Sequence, residues 1–348
     1  MHAVIRADAS ITIGSGHIVR CMALAQVLVD LGWQCSFVCI PGTFYNKDIF
    51  SMSNVDIYEI SGELPIIEEI HNFCPDGVDL LVIDHYLLGF SFESSLRNWA
   101  KQILVVDDLA NRTHDTDFLL DQTYGRTRQE YVGLIPENCW TLLGSDYVLL
   151  RPEFMKKRAQ SLSRRKKINK ISRLLVSVGS TDPIDYTSVV LDAISLSGIY
   201  PIVIDVLLTS VAENISKVRA FATKSSLNIN VYADINADSL ATLLTEADLA
   251  IGAGGSAVWE RCCVGLPTLA ICVAENQQNV LRSLAKQGAI LLLGNADKVD
   301  AKKIAGELRA LSRNYNQLLS MSAHSALICD GSGASIVGKV LSDYAQKQ

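Results

Sequence analysis

The chain has 348 residues, of which 49% are hydrophobic and 20% charged, and its net charge is −6. That length suits two ordinary domains with sizeable cores. The acidic balance excludes nucleic acid or an anionic membrane as the main partner, since both need a basic surface, but leaves open a nucleotide held by backbone N–H groups.

The first predicted element is a strand over 3–7. It leads into Ile13-Gly14-Ser15-Gly16-His17 and a helix over 17–31, with Met22, Ala23, Leu24, Ala25, Val27 and Leu28 on its apolar face and Gly32 as its stop. Glycines let a ligand approach the backbone, and a helix start offers unpaired N–H groups to anions. His17 in the first turn feels the positive dipole end, which favours a neutral imidazole, and a neutral imidazole suits a general base. The same residues also fit a plain turn with a solvated cap.

Further strands are predicted at 34–40, 56–60, 79–84, 102–107, 118–120 and 140–143, with a helix over 91–99. They are continuous apolar runs, the pattern of parallel strands buried on both faces. His85 and Tyr86 follow one strand end and Asp107-Asp108 another, so all four fall at the edge where open α/β sheets bind ligands. Either aspartate suits a substrate contact or a turn cap. Asp115-Thr116-Asp117 matches a metal–nucleotide motif of a different fold, on three residues only.

A basic run then breaks the pattern: Lys156, Lys157, Arg158, Arg164, Arg165, Lys166, Lys167, Lys170 and Arg173. A basic helix end plus linker is the simplest reading. The predicted division is a first domain over 1–160, a linker over 161–172, a second domain over 173–330 and a final helix over 331–348.

In the second half strands are predicted at 172–178, 202–208, 228–232, 248–252, 267–273 and 289–293. The alternation predicts two doubly wound α/β domains with a cleft between them. Gly254-Gly255-Ser256 follows a strand and opens a helix, an arrangement suited to a pyrophosphate, with Ser256 as N-cap. Glu260, one turn on, suits ribose hydroxyls or simply the helix dipole.

Residues 1–30 lack a basic start followed by an unbroken apolar run, and no run is long enough to span a bilayer. Nine cysteines sit mostly in apolar segments without paired metal-ligand spacing. Reduced thiols, no metal, no cofactor and a cytoplasmic monomer are therefore expected.

Several motifs together carry a resemblance. They are Arg6-x-Asp8-x-Ser10, Gly14-Ser15-Gly16-His17-x-x-Arg20-Cys21, Val82-Ile83-Asp84-His85-Tyr86, Val106-Asp107-Asp108-Leu109-Ala110-Asn111-Arg112, Leu119-Leu120-Asp121-Gln122, the stretch from Leu143 to Phe154, and the block 248–277. From residue 1 to about 280 the chain resembles the pseudaminic acid pathway hydrolases, which remove UDP from UDP-2,4-diacetamido-2,4,6-trideoxy-β-L-altropyranose. It departs from their usual Gly-Gly pair at Ser180, in Ser177-Val178-Gly179-Ser180-Thr181-Asp182.

The resemblance implies two Rossmann-like domains of the glycosyltransferase-B type and metal-independent, inverting hydrolysis at the anomeric carbon. The product would serve flagellin or surface-polysaccharide glycosylation. His17 would be the base. Asp8, Gly14, Ser15, Gly16, Tyr86, Asp107, Asn276 and Gln277 would contact the sugar, and Gly179, Gly254, Gly255, Ser256, Glu260 and Cys272 would contact UDP. A UDP-sugar glycosyltransferase of the same fold, or a hydrolase of an isomeric diacetamido sugar, is the alternative.

Overall fold

The computed structural model describes residues 1–10, 14–44, 55–200 and 202–347. The chain folds as two compact units, Met1–Arg151 with Ser332–Gln348 and Pro152–Gly331.

The first unit holds strands β1 (His2–Ala7), β2 (Gln34–Cys39), β3 (Val55–Glu59), β4 (Val78–Asp84), β5 (Ala100–Val106), β6 (Phe118–Asp121) and β7 (Trp140–Leu143). They form one parallel sheet in the order β3-β2-β1-β4-β5-β6-β7. Both faces are covered, so neighbouring positions on one strand enter different cores. Ala3, Ile5 and Ala7 pack with Leu24 and Leu28 of the helix Gly16–Asp30, and Val4 packs with Ile70, Leu81 and Ile103 on the other face. This is why the inner strands read as unbroken apolar runs, while the edge strand β3 exposes Asp56, Ile57 and Glu59. The C-terminal helix Gly333–Ala345 returns to the first unit, where Val337 and Leu341 are buried and Trp33 Nε1 donates to Ser342 Oγ at 2.8 Å.

The second unit holds β8 (Arg173–Ser177), β9 (Val203–Leu208), β10 (Asn228–Ala233), β11 (Leu249–Ala253), β12 (Thr268–Cys272) and β13 (Leu291–Asn295), parallel in the order β10-β9-β8-β11-β12-β13. Each sheet reverses its strand order once, at β1/β4 and at β8/β11. Crevices outside the carboxyl ends at such points are where doubly wound folds take ligands.

The basic run corrects the expected linker over 161–172. Residues Pro152–Arg165 are one helix, and its arginines tie it to the second unit. Arg165 is fully buried and donates to the carbonyls of Leu244, Ala247 and Val264. Arg158 reaches those of Cys263, Ala326 and Cys329. Two residues of an apparently solvated charge run thus satisfy carbonyls left open at helix ends. Among the described residues no helix is long and apolar enough to cross a membrane. The nine cysteines are free thiols, all buried but Cys74, which is half-buried.

Candidate functional site

In the first unit the site is built around the carboxyl ends of β1 and β4, which lie side by side with Ala7 opposite Asp84. Gly14 has φ +78, a conformation glycine adopts without strain, and its N–H donates to the Ser10 carbonyl at 2.8 Å. Ser15 and Gly16 begin the helix, which places His17 in its first turn, 7% exposed.

His17 Nδ1 lies 2.6 Å from Asp84 Oδ1. An ionised carboxylate only accepts, so Nδ1 carries the hydrogen and a neutral ring keeps its lone pair on Nε2. No group among the described residues bonds to Nε2. Arg20, one turn further along the same helix face, grips Asp84 with Nε and Nη2, each at 2.6 Å, and reaches Asp108 with Nη1 at 3.1 Å. Tyr86 sets its ring edge-on to His17 at 4.7 Å between centroids, and its hydroxyl donates to Asp108 at 3.3 Å. Burial opposes ionisation of Asp84, but Arg20 and His17 overcome it and hold the carboxyl far below its usual range. An imidazole fixed at Nδ1 by a clamped carboxylate and open at Nε2 is arranged to accept a proton.

Asp84 and Arg20 were given no role by sequence, and Asp108 was left open together with Asp107. The available signals were the three-residue spacing of His17 and Arg20 and the position of Asp84 at a strand end. His85 differs from His17. Its Nδ1 accepts from Leu87 N at 3.1 Å, so Nε2 carries the hydrogen and faces Asp8 at 3.3 Å.

Two expected sugar contacts are engaged elsewhere. Asp8 holds Arg6 with both oxygens and also accepts from Ile40 N at 2.9 Å. Asp107 accepts from Arg112, from Ala110 N and from the Tyr131 hydroxyl, so it builds the turn in which Ala110 takes φ +50. That turn presents Asp108 beside Arg20. Asp115 and Asp117 straddle Arg97, Asp115 at 2.8 Å and Asp117 at 2.6 Å, which accounts for the Asp-x-Asp spacing as an ion pair.

In the second unit Ser177 of β8 lies opposite Gly252 of β11, and a turn follows each strand. After β8, Gly179 has φ +135, and the loop past Ser180 is held by Thr209 N–H on the Ser180 carbonyl and by Asp182, which accepts from Tyr186 N and Thr187 N. The loop therefore closes with serine at the departing position.

After β11, Gln277 Oε1 accepts from Gly254 N and Val273 N, both at 3.2 Å. Gly254 N is thus engaged by Gln277. The N–H groups of Gly255 and Ser256 have no acceptor among the described residues. Ser256 occupies the expected N-cap position but does not cap with its side chain. Its backbone is already helical at φ −51 and ψ −31, and its hydroxyl makes no capping bond. Glu260 is buried one turn on, Asn276 is exposed, and Cys272 is buried with its thiol on the Ala274 carbonyl at 3.2 Å.

The two glycines of the turn differ in what surrounds them. A Cβ on Gly254 would lie 2.5 Å from Leu281 Cγ, whereas one on Gly255 would meet only Gln277 Nε2, at 3.8 Å. Gly254→Ala is expected to cost about 1–3 kcal/mol by overpacking. Gly255→Ala should stay within about 0.5 kcal/mol of the wild type. Urea midpoints test this, and equal midpoints for the two variants would contradict the packing assigned to Gly254.

Residues 173–333 match the glycosyltransferase family 28 C-terminal domain. The chain is 28% identical over 289 residues to the UDP-2,4-diacetamido-2,4,6-trideoxy-β-L-altropyranose hydrolase of Campylobacter jejuni, covering 83% of this chain and 97% of that one. It is 24% identical to the spore coat polysaccharide biosynthesis protein SpsG of Bacillus subtilis over the whole of both chains. The resemblance read from the motifs thus has a counterpart in overall sequence. Among solved structures, MurG of Acinetobacter baumannii aligns with a TM-score of 0.68 at 16% identity, covering 98% of this chain and 99% of that one. The Staphylococcus aureus MnaA–UDP structure aligns at 0.68 and 10% identity, over 99% and 97%. The fold is two Rossmann-like domains of the glycosyltransferase-B type.

Proposed function

We propose that the chain is a UDP-sugar-processing enzyme, and specifically a hydrolase that releases UDP from a UDP-linked 2,4-diacetamido-2,4,6-trideoxy sugar of the altro type, in pseudaminic acid biosynthesis. One observation carries the reading: His17 is fixed through Nδ1 by Asp84 while Nε2 stays open. The similarity to the Campylobacter hydrolase supports the reaction class and the sugar.

In the proposed step the oxygen of a water attacks the anomeric carbon on the face opposite UDP. The bond from that carbon to the phosphate oxygen breaks, and its electron pair leaves with UDP. The water's proton passes to His17 Nε2. UDP is a good leaving group, so stabilising its developing charge substitutes for a strong acid, and the uncommitted N–H groups of Gly255 and Ser256 serve that role without a metal. Glu260 takes the ribose hydroxyls. Tyr86 and Asn276 take polar groups of the sugar, and Asp108 joins them on its place beside Arg20 and Tyr86.

The family 28 match favours a second reading, transfer of the sugar to an acceptor alcohol by the same base. The two differ without an acceptor. Hydrolysis releases UDP and free sugar in equal amounts, and in ¹⁸O-water the label enters the sugar. UDP release that requires an added alcohol would favour transfer, and label in the UDP phosphate would mean P–O cleavage and overturn both.

A further inference from the structure

Two arginines of the second unit are completely buried, and they are buried in different ways. Arg165 donates from Nε, Nη1 and Nη2 to three carbonyls, and hydrogen bonding alone explains its place. Arg261 makes one hydrogen bond, from Nη2 to the Ala253 carbonyl at 2.5 Å. Its Nε is buried without any hydrogen-bond partner; the neighbouring Glu260 carboxylate acts on it without forming an ion pair and does not offset its burial. The side chain is 1% exposed. Burial lowers its pKa only to about 10, so the group is charged at neutral pH. A charge this incompletely compensated in a protein interior is costly unless something of opposite charge completes it.

The strand beside Arg261 is shaped to admit it. A Cβ on Gly252 would lie 2.8 Å from Arg261 Nη1 and 2.8 Å from the Ser177 carbonyl, so only glycine leaves room for the guanidinium there. The carbonyl that Arg261 holds belongs to the peptide unit Ala253–Gly254. The N–H of that same unit donates to Gln277 Oε1. The guanidinium is therefore one peptide unit away from the turn whose Gly255 and Ser256 N–H groups are uncommitted.

We propose that Arg261 is an electrostatic positioning residue whose buried charge is completed by the diphosphate of the bound nucleotide, without touching it. The inference rests on the nucleotide role given above to residues 254–256. Arg261 polarises the Ala253–Gly254 peptide and sets a fixed positive potential behind the turn. In a poorly screened interior that potential acts over several ångströms, which a surface lysine cannot match. It favours the diphosphate over the nucleoside, and it stabilises the charge that grows on UDP as the glycosidic bond breaks.

The test is calorimetry of UDP and of uridine on the full-length wild type and on Arg261→Met, Arg261→Gln and Arg261→Lys. Loss of the charge should weaken UDP by about ten- to a hundredfold in both the Met and Gln variants and leave uridine within about twofold. Gln keeps a donor for the Ala253 carbonyl, so it separates charge from hydrogen bonding. Lys should restore most of the UDP affinity. Without nucleotide, Arg261→Met should melt at or above the wild-type temperature, because an incompletely compensated charge has been replaced by an apolar chain. Failure of the Met variant to fold, or an equal loss of UDP and uridine, would make Arg261 a structural residue and overturn the proposal. Wild type that binds no UDP would overturn the nucleotide reading and this inference with it. Wild type that binds UDP, with unchanged affinity in both neutral variants, would overturn the inference alone.

Discussion

His17→Asn is expected to slow UDP release by about 10²- to 10⁴-fold while the protein stays folded and binds UDP as before. The reason is the division of labour within the ring. Nδ1 is committed to Asp84 and Nε2 is open, so the substitution removes the proton acceptor and little else. The backbone of the helix is untouched, because His17 lies in its first turn and does not cap it. The nucleotide contacts assigned to the second unit are on other elements. Steady-state rates and calorimetry with UDP check the two halves separately. A variant that keeps more than about a tenth of the wild-type rate would remove His17 from the role of base. One that loses UDP binding as well would place His17 in the nucleotide contacts instead.

Asp84→Ala should be the most destabilising single change in the first unit. Asp84 is fully buried and is gripped by Arg20 at 2.6 Å through both of its oxygens, with Arg20 itself 6% exposed. Removing the carboxylate leaves a buried guanidinium without its main partner, and breaking such a pair from one side costs about 3–5 kcal/mol. The sign of the pH dependence follows from the direction of the shift. The folded carboxyl is held below its unfolded value, so its contribution is complete above about pH 4 and is lost as pH falls below that. Wild type should therefore lose urea resistance between pH 7 and pH 3, and Asp84→Ala should lose less over the same interval. A variant with the wild-type midpoint at pH 7 would show that the Arg20–Asp84 pair contributes nothing to stability. In folded Asp84→Asn, retained activity would show that the carboxylate is not needed to orient His17.

Local pattern determined much of this protein. The inner β-strands announced themselves as apolar runs because parallel strands covered on both faces have no polar side to display, whereas the edge strand β3 keeps Asp56, Ile57 and Glu59 exposed. The alternation of those runs with helices allowed little besides doubly wound sheets. Gly14 was legible as a turn glycine, and its φ of +78 is one few other residues adopt. His17 stood out because a strand, a glycine turn and a helix start are contiguous in sequence.

What tertiary structure alone decided was partnership. The His17–Asp84 link spans 67 positions, and it exists because β1 and β4 pair in a register that sets Ala7 opposite Asp84. Asp107 and Asp108 are adjacent and chemically identical, yet one folds the turn and the other faces Arg20; only the placement of Arg112 and Tyr131 separates them. Gln277, expected at the sugar, has its carbonyl oxygen on Gly254 N. The helix Pro152–Arg165 reads as a solvated basic segment until Arg158 and Arg165 are found on the carbonyls of the second unit. Charges and amides carry no periodicity that reports their partners, because hydrogen-bond and ion-pair choices follow from which strand ends and helix ends the fold brings together.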